Sequence, residues 1–184
     1  LCLAVPGLTR YSSLRYPMYV LDTVLGGGNS SRLFQKLREE QGLAYSTYSF
    51  HSSYAHAGLF GVYAGIDADS LEQTLELIQE EIHQLMKHPI SQLELDRAKE
   101  QLKGNLMLGL ESTAARMGRL SKSILFDKPV STPLQICQRI DDVTIEDVYQ
   151  VSSLLFSRPV SVVAVGRNAA EIREFFDQAA IIAC

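Results

Sequence analysis

No stretch of this 184-residue sequence approaches the ~20 consecutive apolar residues that a membrane-spanning helix needs. Positive charge is also in short supply: the formal net charge is -4, which argues against non-specific attraction to nucleic acid or an anionic lipid surface. Neither a nucleic acid nor a membrane is therefore an expected partner. Cys2, Cys137 and Cys184 are odd in number and widely spaced, so they form no CxxC-type zinc cluster and read as free thiols. That favours a reducing, cytoplasmic setting. A recognisable signal peptide is missing, and the chain opens without methionine on the apolar run Leu1–Val5, as a piece of something longer would.

Several catalytic signatures are missing as well. The cluster Gly26-Gly27-Gly28 is followed by Asn29-Ser30-Ser31-Arg32, without the lysine and Ser/Thr of a phosphate loop. It follows a helical pattern rather than a strand, unlike a dinucleotide fingerprint. There is no GxSxG elbow. His51 and His56 are five residues apart, which on a helix places them ~140° apart, and they belong on or beside a hairpin bend. His83 and His88 have the same spacing, with no carboxylate placed as in His-x-x-Glu-His. No metal ligand is expected in this chain. Glu39, Glu40, Glu76, Glu80 and Glu81 read as solvated helix faces.

What remains is an ordinary globular balance, 46% apolar and 21% charged, enough for one domain over residues 1–184. Leu1–Val5 reads as a strand ending at Pro6-Gly7. Leu14, Met18, Leu21 and Leu25 mark a helix over Tyr11–Leu25 that runs into three glycines, each free to take φ > 0. Asn29 or Ser30 is placed to cap a helix over Ser30–Gln41, with Leu33, Phe34 and Leu37 on its buried stripe. Gly42 fits a left-handed position just past its end, with Leu43 folding back over Leu37. Ala44–Ser53 and Ala57–Ile66 then form an antiparallel hairpin around Tyr54-Ala55-His56.

A helical block follows. Leu71, Leu75, Ile78, Ile82 and Leu85 form one stripe, stopped by His88-Pro89. Ser91 and Glu94 make a capping box, stapled by Ile90 and Leu95, for a helix towards Leu110. Further helices cover Ser112–Leu125, Pro133–Ile140 and Thr144–Leu155, the last opened by Thr144 with Asp147. Val160–Val165 is a compact strand, and Asn168 with Glu171 caps a final helix to Ala180. Antiparallel strands with grouped helices predict an α+β fold, an antiparallel sheet packed against a layer of helices.

Arg38, in the last helical turn, and Tyr45, at the start of the next strand, are held close by the turn between them. Taken singly, the arginine reads as a helix-dipole partner or surface charge and the tyrosine as a half-buried anchor; a functional role is the other reading. The block SSRLFQKLRE…GLAYS keeps the two seven residues apart. With Ala4–Gly7, Gly58–Gly65, Glu94–Lys99, Glu111-Ser112, Val143-Thr144, Asp147-Val148 and Val162–Gly166, it resembles the zinc peptidase family of pitrilysin, insulin-degrading enzyme and mitochondrial processing peptidase. The likeness is to the second, non-zinc half of the bacterial processing-peptidase-like members.

The resemblance implies one half of a clamshell of two homologous halves. The other half, on the same polypeptide or a partner chain, would carry His-x-x-Glu-His, a distal glutamate and the zinc. This chain lacks that motif, so it implies no cofactor here and no hydrolysis by the isolated chain. It also implies that Arg38 and Tyr45 reach across to a bound peptide substrate, donating to its carbonyl and the developing oxyanion. Some family members are instead non-catalytic scaffolds or peptide-binding subunits, which is the alternative expectation.

Overall fold

The computed structural model describes residues 1–126, 129–167 and 172–174. Four strands form a single antiparallel sheet in the order β2-β3-β1-β4: β1 Cys2–Pro6, β2 Ala44–Ser53, β3 Gly58–Ile66 and β4 Ser161–Val163. Six α-helices accompany it among the described residues: α1 Arg15–Gly26, α2 Leu71–Lys87, α3 Gln92–Gly109, α4 Thr113–Leu125, α5 Pro133–Asp141 and α6 Ile145–Phe156. The α+β architecture is the one expected.

Alternation in the strands separates the two faces of the sheet. Phe60, Val62 and Ala64 of β3 are buried with Leu3 and Val5 of β1, while Leu59 and Tyr63 remain exposed. The period of two dictates this, because neighbouring side chains point to opposite faces. The buried face meets Met18, Val20, Leu21 and Leu25 of α1, Leu75, Ile78 and Leu85 of α2, and Val148, Val151 and Leu155 of α6. A fully buried aliphatic side chain contributes roughly 1.5–3 kcal/mol by leaving water, so this cluster dominates the favourable side of folding.

The helix-start chemistry is present as expected. Ser91 Oγ accepts from Glu94 N, the Glu94 carboxylate accepts from Ser91 N, and Ile90 and Leu95 are both buried. An equivalent capping box opens α6 at Thr144 and Asp147, and a further one, at Thr132 and Gln135, opens α5 where only Pro133 marked the start in the sequence. His88 has extended dihedrals that end α2. Two starts differ from expectation. Helix α1 begins at Arg15 rather than near Tyr11, and no side chain caps the turn after the glycines. There Ser31 Oγ donates to the Gly28 carbonyl, and Asn29 contributes only its backbone carbonyl, to Gln35 Nε2.

The glycine cluster has a different purpose from the one its composition suggests. Gly42 is the positive-φ glycine among the described residues, and Gly26 and Gly27 lie elsewhere in φ/ψ space. What Gly26 provides is room: a Cβ there would stand 2.0 Å from the Ser49 backbone nitrogen of β2. The absence of a side chain lets α1 press directly on the strand. The proposed final-helix caps Asn168 and Glu171, like Cys184, lie outside the described residues, whereas residues 172–174 are helical.

Candidate functional site

Arg38 sits on a helix wound more widely than the periodicity predicts. Residues Phe34–Glu40 form a π-helix, in which Gln41 N donates to the Lys36 carbonyl five residues back, at 3.3 Å. Leu33 and Leu37 are fully buried and anchor this turn to the core. Gly42 then takes φ +63°, and Leu43 N donates to the Leu37 carbonyl at 2.8 Å. An ordinary glycine C-cap closes its turn over six residues; here the closing bond spans seven, one more, as the wider winding of a π-helix requires. The predicted position of Gly42 is correct, and the predicted α-helical register is not.

Tyr45 is displaced by a second irregularity. Ala44 pairs with Ile66 and Ser46 with Gly65, so Tyr45 is the extra residue of a β-bulge. A bulge bends its strand and re-aims the unpaired residue. Tyr45 is 86% exposed, far from the half-buried anchor that a strand-starting tyrosine suggests. The two irregularities bring the pair together: the Arg38 guanidinium lies 5.7 Å from the Tyr45 ring centroid and 5.1 Å from that of Phe34. These are cation–π distances. Among the described residues no carboxylate pairs with Arg38, and it lines an open hollow of about 560 Å³ together with Tyr45.

Tyr63, Gly65 and Asp67 complete the walls of that hollow. Tyr63 stacks on Tyr48 with ring centroids 5.0 Å apart, forming an aromatic floor on the exposed sheet face. Periodicity marks both tyrosines as outward-facing, but only the strand register places them side by side, so sequence reasoning missed Tyr63 and Asp67. The site offers guanidinium and phenol donors and one carboxylate at its edge. Such groups can hold a peptide backbone by its carbonyls.

His51 is placed differently from expectation. It lies within β2, half-buried, with Nδ1 2.9 Å from Asp22 Oδ2 and its ring stacked on Tyr19 at 4.9 Å. Ser49 donates to the same carboxylate, with Oγ 2.5 Å from Oδ1. The serine therefore meets the aspartate and not the imidazole, which is the wrong order for an activated nucleophile. Burial pushes the Tyr19 hydroxyl pKa up, partly countered by Arg15. Glu81 also departs from a fully solvated face: it is half-buried, and desolvation raises its pKa against the pull of Arg32 and Lys36. Among the described residues no three His, Cys, Asp or Glu side chains converge on a point that would hold a metal ion.

Comparison with known proteins places this geometry in context. The sequence profile of the peptidase M16 inactive domain matches residues 1–102. An uncharacterized zinc protease of Streptomyces coelicolor is 42% identical over 164 residues, covering 89% of this chain and 36% of that protein. One of Bacillus subtilis is 43% identical over 157 residues, covering 85% and 38%. The chain thus spans little more than a third of the length of these relatives. Among solved structures, a peptidase M16 inactive domain from Pseudomonas fluorescens superposes with a TM-score of 0.76 at 28% identity, over 84% of this chain and 37% of that one. An inactive peptidase domain from Bordetella parapertussis shares the fold at a TM-score of 0.73 and 18% identity, over 90% of each chain.

Proposed function

The chain belongs to the family of the peptidase M16 inactive domain, the half without a zinc site, and we propose that it is the substrate-contacting half of a zinc-dependent peptidase. In this reading a homologous half supplies zinc, the activated water and the general base. This chain binds and orients the peptide. Arg38 and Tyr45 donate hydrogen bonds to its carbonyl oxygens, including the one that gains negative charge during attack. Tyr63 and Tyr48 offer an apolar floor for a side chain of the same peptide. The observation that carries the proposal is the convergence of Arg38 and Tyr45, each re-aimed by a backbone irregularity, on one open hollow without a carboxylate on Arg38. Donors held in place beforehand stabilise a developing oxyanion at no cost in reorganisation.

The test is reconstitution of this chain with its zinc-bearing half, followed by peptide cleavage assays on Tyr45→Phe and Arg38→Ala. Loss of one such donor typically lowers the rate ~10²–10³-fold. Tyr45→Phe removes only an exposed hydroxyl, so kcat/KM should fall while the melting midpoint stays within error of wild type. Unaltered kcat/KM in Tyr45→Phe, with Arg38→Ala losing only stability, would make the chain a scaffold or peptide-binding subunit instead.

A further inference from the structure

A second hollow, of about 650 Å³, opens at the start of α1, and its walls carry Arg10, Arg15 and Arg139. That volume suits a small ligand or the end of a longer one. In a chain of net charge -4, three guanidinium groups around one cavity run against the average composition. None of the three pairs with a carboxylate among the described residues.

Among the described residues, the hydrogen bonds these arginines make go to neutral acceptors. Arg15 Nη2 donates to Tyr16 Oη at 2.9 Å, and Arg139 Nη1 approaches the same oxygen at 3.5 Å. Two like charges therefore converge on one neutral hydroxyl, with Arg139 Nη1 also 3.3 Å from Ser131 Oγ, and an anion between the two guanidinium groups would relieve their repulsion. Arg10 Nη2 donates to the Ser53 carbonyl and its guanidinium covers the Phe126 ring at 3.7 Å. Its Nη1 is buried without an acceptor among the described residues. An unmet cationic donor of this kind is destabilising.

Two carboxylates also line the hollow, so its three guanidinium groups outnumber its acidic groups by one, and each carboxylate has one oxygen held by neutral donors. Asp147 Oδ2 accepts from the backbone nitrogen and hydroxyl of Thr144, and Asp142 Oδ1 accepts from Gln138 Nε2. The twelve-residue α1 adds the positive end of its dipole: Leu14 at its N-cap offers no side-chain acceptor, and its first turn holds no acidic residue.

We propose that the hollow formed by Arg10, Arg15, Tyr16 and Arg139 at the start of α1 is an anion site that receives an oxyanion, either a terminal carboxylate or a phosphate. Arg15 and Arg139 supply paired donors to its oxygens, Tyr16 fixes their separation, and the Arg10 charge backs them from the wall. The site is distinct in its residues from the hollow of Arg38 and Tyr45, and it requires no zinc half. Its ligand could be a free metabolite or one end of a peptide; the chemistry recognised is the oxyanion itself.

Isothermal titration of the full 184-residue chain separates the sources, using inorganic phosphate, a short alanine peptide with a free C-terminal carboxylate, and the same peptide amidated. Saturable binding of phosphate or of the free-acid peptide, weakening as ionic strength rises, is the expected result. Arg15→Gln and Arg139→Gln should each weaken it about tenfold or more, as expected for a lost charge-assisted hydrogen bond. Lys87→Gln, which does not line the hollow, should leave it unchanged. Far-ultraviolet dichroism and the melting midpoint confirm that each variant is folded. Phosphate binding alone assigns the site to phosphate, and binding of the free acid but not the amide assigns it to a carboxylate. No saturable binding of either probe, equal binding of the amide, or full affinity in folded Arg15→Gln and Arg139→Gln would each overturn the proposal.

Discussion

Replacing Gly26 by alanine tests whether helix α1 truly depends on touching the backbone of β2. The added Cβ would stand 2.0 Å from Ser49 N, 2.7 Å from Ser49 Oγ and 2.8 Å from Ser49 Cβ. The nearest of these atoms is main chain, paired in a sheet, and cannot swing aside as a flexible side chain would. Helix and strand must separate by more than ~1 Å to reach ordinary van der Waals contact, and overpacking of this kind costs about 1–3 kcal/mol. The same shift pulls Ser49 from Asp22, where its Oγ lies 2.5 Å from Oδ1 and 2.8 Å from the carbonyl oxygen. A hydrogen bond to a charged group contributes about 1.5–3 kcal/mol, of which part would be lost. Together these give a loss of about 2–5 kcal/mol, or roughly 4–20 °C in Tm for a chain of this size. Gly104→Ala is the internal control. It lies on an exposed stretch of α3 with nothing within 4 Å of a Cβ, and helix propensity predicts a gain of about 0.5–1 kcal/mol. Urea unfolding of both variants with unchanged m-values measures the contrast. Wild-type stability in Gly26→Ala, or an equal loss in Gly104→Ala, would refute close approach as the reason for glycine.

Gly42→Val should cost about 1–2 kcal/mol or more, through the backbone alone, because φ is +63° and nothing stands within 4 Å of a Cβ. Gly42→Asn should recover part of that loss, and a thermal midpoint equal to wild type in the valine variant would remove the C-cap assignment. Glu94 supplies a pH test. Burial pushes its carboxyl pKa up, but hydrogen bonds from Arg32 and Ser91 outweigh this and hold it below the usual carboxylate range. Its folded-state pKa is thus depressed, so the stabilisation is present above the unfolded value of ~4.3 and disappears as pH falls through the folded value. Glu94→Gln should therefore be about 1 kcal/mol less stable at neutral pH, the modest figure expected of a partly exposed pair with Arg32 Nε at 2.7 Å. The difference should vanish in acid; a gap that persists there would show that the charge is not its source.

Most of the elements are legible along the chain because their causes are local. Ser91 with Glu94, Thr144 with Asp147, and Pro89 after α2 act within one turn of the residues that carry them. The alternation of Leu59, Gly61 and Tyr63 against Phe60, Val62 and Ala64 declares both the strand and its buried face. Glycine at position 42 announces a left-handed residue for the same reason. The pairing of Arg38 with Tyr45 is local too, since a short turn joins them.

Other features depend on partners distant in sequence and leave no periodic trace. His51 reads as a hairpin-bend residue until α1 brings Asp22 and Tyr19 against β2. Gly26 looks like a helix breaker until Ser49 is found beneath it. Arg10, Arg15 and Arg139 lie on three segments, and no spacing rule connects them. The amino-acid sequence by itself determined the order of elements, the buried stripes, the caps and the Arg38–Tyr45 spacing, all of which follow from interactions within a few residues. Only the tertiary structure decided the π-helix and the bulge that aim that pair, and the two hollows, because these depend on the register and separation at which helices and strands close on a shared core.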